Sequence, residues 1–110
     1  MKVYTYQEME NYLKNNPGQT CWEISITGVD HRSGYAKEWG DVFFFLSEEE
    51  ARKFAKDAWS EYGAEDGVYL VYLYNCRWNA EEEVLEEKDN GEDIPDQYKD
   101  EPIINESPTK

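Results

Sequence analysis

The stretch from Asp41 to Trp78 limits the possible folds most sharply. It holds two apolar runs, VFFFL at 42–46 and VYLVYLYNCRW at 68–78, on either side of a polar–apolar segment. In that segment Ala51, Phe54, Ala55, Ala58, Trp59 and Tyr62 fall on one face of a helix. Ser47 and Glu50 have capping-box spacing, and Glu48, Glu49 and Glu50 lie where the helix macrodipole favours negative charge. Gly63 is the natural residue to end this helix. The run 42–46 is continuously apolar and reads as a strand covered on both faces, and 68–78, rich in apolar residues on both parities, reads as a strand well inside the sheet. Strand, helix, strand is therefore the centre of the fold.

Upstream, Thr5 and Glu8 form another capping box, with Tyr6, Met9 and Leu13 on one face of a short helix that NNPG at 15–18 stops. From Thr20 to Thr27 apolar Trp22, Ile24 and Ile26 alternate with Cys21, Glu23, Ser25 and Thr27, the pattern of a half-buried strand. The polar stretch 28–41, with three glycines, reads as a long hairpin loop. Downstream, Asn79 and Glu82 predict a short acidic helix through Glu87, and from Lys88 onward periodicity gives way to a proline-punctuated acidic tail. The order α-β-β-α-β predicts an α+β domain over residues 1–88, with a three-stranded, mainly antiparallel sheet and two helices on one face. The third strand could lie beside the first, in a split β-α-β arrangement, or beside the second. Residues 89–110 are expected to be a flexible tail.

Motifs for chemistry are lacking. His31 is the sole histidine, and it has no set of nitrogen and sulfur ligands at zinc spacing. Counting from Asp89, a calcium loop would need glycine sixth and glutamate twelfth, where Ile94 and Asp100 stand. Cys21 and Cys76 are too few for a secreted disulfide framework and read as two reduced thiols in or near the core. No cofactor, metal or catalytic residue is expected. The N-terminus lacks an apolar signal core and no run is long enough to span a membrane, so the expected location is the cytoplasm.

Charge is the feature that bears on function. The net charge is −14, and it is unevenly spread: residues 1–79 carry 13 acids and 8 bases, residues 80–110 carry 12 acids and 3 bases. Such a chain is repelled by nucleic acid and anionic membranes and drawn to basic surfaces. Glu48, Glu49, Glu50, Asp57, Glu61, Glu81, Glu82 and Glu83 are the carboxylates expected to meet a basic partner, in place of the phosphates it would otherwise hold. Tyr35 and Trp39, in the least acidic loop of the first 79 residues, are the aromatics expected to be exposed for recognition.

In size, acidity, aromatic content and lack of catalytic motifs, the chain resembles small anti-CRISPR and anti-restriction proteins of phages and mobile elements, many of which mimic DNA. It is similar too to acidic immunity proteins that block basic nuclease toxins. The likeness is one of bulk composition and carries no residue motif. It implies a monomeric, non-enzymatic inhibitor of a basic nucleic-acid-binding protein or nuclease, with no direct binding to nucleic acid. A generic interaction or adaptor module, its acidic tail serving only solubility, is the alternative.

Overall fold

The computed structural model describes residues 2–30, 34, 36–61 and 67–96. His31, Tyr35, Gly63 and the chain beyond residue 96 lie outside the described residues. The first helix, α1, spans Tyr6–Lys14. Its capping box forms as the sequence dictates: the Glu8 amide donates to the Thr5 hydroxyl at 3.1 Å and the Thr5 amide to the Glu8 carboxylate at 3.0 Å. The second, α2, spans Glu48–Glu61, and the Glu50 amide donates to Ser47 Oγ at 3.2 Å.

Strands β1 (Thr20–Asp30), β2 (Lys37–Phe45) and β3 (Val68–Asn79) form the antiparallel centre of the sheet. They are longer than the periodicity suggests, because pairing between β1 and β2 continues through Asp30 and Lys37 and shortens the expected 28–41 loop. The strand order is β2-β1-β3-β4. Of the two placements left open for the third strand, the one beside the first is correct. The sheet also has more strands than the three expected. The predicted helix over 79–87 is instead a turn followed by β4 (Val84–Glu87), antiparallel to Cys76–Asn79. Asn79 does cap the following backbone, its Oδ1 accepting from the Glu81 and Glu82 amides, but the cap closes a hairpin. Pairing with the open edge of β3, the Arg77–Glu86 contact at 2.6 Å and Leu85 packed toward α1 stabilise the strand over the helix.

Part of the segment 89–96, expected as the start of the tail, joins the same sheet. Short strand β5 (Glu92–Asp93) pairs with Tyr72 and Leu73, and Ile94 is buried in the core. The Trp59 indole donates to the Ile94 carbonyl at 2.9 Å, and Arg52 grips the Glu92 carboxylate with both terminal nitrogens at 2.7 and 2.9 Å. Gly91 makes the approach possible. Its φ is +86°, and a Cβ there would lie 2.4 Å from the Tyr74 ring.

The helices do not share one face. Cross-strand partners point to the same side, so the rows Phe43–Ile24–Leu73 and Asp41–Ile26–Val71 define one face, and Phe44–Glu23–Tyr74 and Val42–Ser25–Tyr72 the other. The first face packs against Ala51, Ala55 and Ala58 of α2. On the second, Cys21, Phe44 and Cys76 pack against Met9 and Leu13 of α1. Phe44 and Phe45 are consecutive and both buried, so each needs its own cover, and one helix on each side supplies it.

Candidate functional site

The antiparallel register decides where the acidic residues gather. β2 ends at Phe45, opposite Trp22 near the start of β1, and β3 ends beyond Arg77, opposite Thr20. The first turn of α2 and the β3–β4 turn therefore emerge at the same end of the sheet. That end carries Glu48, Glu49 and Glu50 together with Glu81, Glu82 and Glu83, about 30 residues apart in the chain. Glu49 and Glu81 to Glu83 are exposed; Glu50 is half-buried, and Glu48 pairs with Arg52 at 2.9 Å. Glu83 stands in the left-handed region at φ +51°, which disfavours any residue with a Cβ. It acts on Lys14, whose ammonium is held more firmly protonated by Glu10 first and by Glu83 among lesser causes.

Other expected contact residues lie elsewhere. Asp57 is further along α2, bound to Lys53 at 3.1 Å, and Glu61 ends that helix, with its side chain outside the described set. Trp39 is not an exposed loop aromatic. It belongs to β2, packs against the α2-side core, and lays its indole over Gly28, where a Cβ would come within 2.6 Å of the ring.

Two features of the α1 side go beyond the sequence reading. One is how the two thiols, expected reduced and in or near the core and found free and buried there, meet each other. Cys21 and Cys76 are directly opposed across β1 and β3. The Cys76 thiol is pushed far up, first by its hydrogen bond with Cys21 and then by burial, and it also contacts the Glu23 carboxylate at 3.5 Å. A thiol held protonated in this way is a poor nucleophile. Glu23 itself is half-buried, and burial raises its pKa above the ordinary carboxylate value, with Glu87 adding to the shift.

The other feature is the part of that face α1 does not reach. Val42 is 48% exposed and Leu70 37%, with Ser25, Thr27 and Tyr72 between them. An irregularity in β3 opposite Thr27 and Gly28 lets Tyr69, 50% exposed, hydrogen-bond through its hydroxyl to Glu38. Tyr6, 46% exposed, bounds the surface at the α1 end, its ring edge-on to Phe44 at 5.8 Å.

At the open end of β3 lies a cleft of 610 Å³ between Trp59, Val68, Leu70, Asp93 and Pro95. Among the described residues no group of three or more His, Cys, Asp and Glu could hold a metal ion, and no helix is long and apolar enough to cross a membrane. The chain matches no protein family, no curated protein and no solved structure.

Proposed function

We propose that this chain is a non-enzymatic cytoplasmic inhibitor that occupies the nucleic-acid channel of a basic protein, a nuclease included, with carboxylates in place of phosphates. The observation that supports this reading most is the collection of Glu48 to Glu50 and Glu81 to Glu83 at one end of the sheet. Two turns of different origin emerge there, and although Arg52 pairs with Glu48 and Lys14 lies near Glu83, Glu49 and Glu81 to Glu83 are exposed. A basic groove built for a polyanion gains attraction and association rate from such a surface.

The test is competition. A partner recovered from the native host by affinity capture is titrated with duplex DNA in the presence of this protein. Mutual exclusion is expected, with affinity for the protein falling steeply between about 50 and 200 mM salt. Neutralising Glu81, Glu82 and Glu83 together weakens binding while the fold survives. A partner that holds DNA and this protein at once, indifferent to those changes, rules the reading out. The open sheet surface favours a second reading, in which the chain is an interaction module that binds through apolar contact.

A further inference from the structure

We propose that the uncovered part of the α1 face is a docking surface for one cationic amphipathic helix of a partner protein, lying across Val42, Ser25, Thr27 and Tyr72 with a Lys or Arg directed at Glu23. The inference is independent of charge mimicry and concerns a different part of the molecule.

The opposite face shows what this sheet requires. There α2, 14 residues long, covers the rows through Ile24 and Ile26 and leaves Ile24, Ile26, Val71 and Leu73 buried. On the docking face α1 is 9 residues long and covers only the end holding Cys21, Phe44 and Cys76. Among the described residues no helix covers the rows through Ser25 and Thr27, which hold the partly exposed Val42 and Leu70. Three strands span about 10 Å, the diameter of a helix with its side chains. The fit is to a helix on the face; a strand would need the sheet edge instead.

Charge identifies the chemistry of the occupant. Glu23 stands in the row next to Ser25, half-buried, with a neutral thiol as its hydrogen-bond partner and no Lys or Arg paired to it among the described residues. Burial raises its pKa, as expected of a carboxylate without a counter-charge. Glu38 lies at the far end of the same face and Glu87 beside Cys76. A strip in which Val42, Leu70 and Tyr72 flank the small side chains of Ser25 and Thr27, with a carboxylate in its floor and more at its ends, matches an amphipathic helix whose apolar face is interrupted by one cation and flanked by others. A second copy of this chain would bring the same carboxylates against these, at a net charge of −14 on each copy.

The test uses the full-length protein, isotope-labelled, and a synthetic amphipathic helical peptide of about 16 residues, whose leucine face carries one central arginine. A matched peptide has norleucine at that position. Amide shifts on binding are expected to concentrate in residues 23–27, 40–44 and 70–74. Ser25→Arg and, separately, Thr27→Arg weaken binding by about tenfold or more while each protein keeps a dispersed spectrum. Glu23→Gln weakens the arginine peptide by about tenfold and the norleucine peptide by less than about twofold. The proposal is overturned if neither peptide binds, if the shifts centre on Glu48 to Glu50 and Glu81 to Glu83, or if both arginine substitutions leave affinity unchanged. A dimer in sedimentation that Val42→Arg dissolves would make a second copy the occupant and overturn it as well. So would a face that admits peptide only after Ile103→Glu and Ile104→Glu, since the chain's own C-terminal segment would then be its cover.

Discussion

On the α2 side of the sheet, Phe45, Ile24, Ile26, Val71 and Leu73 meet the small side chains of Ala51, Ala55 and Ala58, which let the helix lie close. On the α1 side, Met9 and Leu13 are the buried residues the helix contributes, and two cysteines take the place that branched aliphatics hold opposite. The same three strands feed both faces, so their difference comes from what covers each one. A long helix with an alanine seam closes its face; a short helix with two large residues closes half of its own and leaves Val42 and Leu70 in water. One face therefore holds the fold together, while the other has surface to spare for contact.

Substitutions on the two faces should therefore differ in their cost. The largest effect is expected from Phe45→Ala, a fully buried ring on the α2 side that packs on Phe54 at 5.2 Å. Denaturant unfolding should show a loss of about 3–5 kcal/mol. A loss below about 1 kcal/mol would mean that this face is not the principal core.

Met9→Ala removes the main apolar contact of α1 and should destabilise by about 2–3 kcal/mol, the low end for such a change because the cluster is small. Native-state hydrogen exchange should then show the α1 amides opening at lower free energy than those of β1. Equal protection of both would make the two faces a single cooperative unit.

Glu83→Gly relieves a left-handed backbone and should stabilise the fold by about 1 kcal/mol. If the acidic end is the contact surface, the same change weakens partner binding, so stability and affinity move in opposite directions. A destabilised Glu83→Gly would show that the attraction of its carboxylate for Lys14 outweighs the backbone strain there.

Glu23→Gln tests the open face through pH. The folded protein holds this carboxyl's proton to higher pH than the unfolded chain does, because burial disfavours the charge. Ionisation therefore removes stability as pH rises from the ordinary carboxylate range through the raised value. Glu86 and Glu92 act oppositely: Asn79 and Arg77 hold the first, and Arg52 the second, below the usual range, and their contribution is lost as pH falls. In unfolding measured against pH, Glu23→Gln should flatten the decline above the carboxylate range and leave the acid limb unchanged. An unchanged decline would place its source in another group.

The smallest effect belongs to Val42→Ala, three residues from Phe45 on the same strand but facing solvent. Its stability should stay within about 0.5 kcal/mol of the parent. A larger loss in isolation would mean that the exposed strip is already covered.

Local physics made much of this legible in the residues. Thr5 with Glu8 and Ser47 with Glu50 start the helices where capping requires, and the alternation through Trp22, Ile24 and Ile26 marks a strand with one apolar side. Three consecutive phenylalanines required cover on both faces of β2, yet the order of elements was read as two helices on one face, because element order does not tell on which side of the sheet a helix packs. Each of these signals acts between residues a few positions apart, so the chain carries it without a fold. The rest depends on partners that meet only after folding. Glu92 reaches Arg52 across 40 positions and Ile94 reaches Trp59 across 35, and those contacts turn residues 92–94 from apparent tail into sheet and core. The open edge of β3 made a strand of Val84–Glu87, where capping spacing alone had indicated a helix. Register gathered Glu48 to Glu50 and Glu81 to Glu83 at one end and left Glu23 beside an uncovered strip. The sequence determined the number of charges and the phase of each apolar pattern; their placement was decided by strand pairing, because pairing energy depends on neighbours that periodicity along one chain cannot specify.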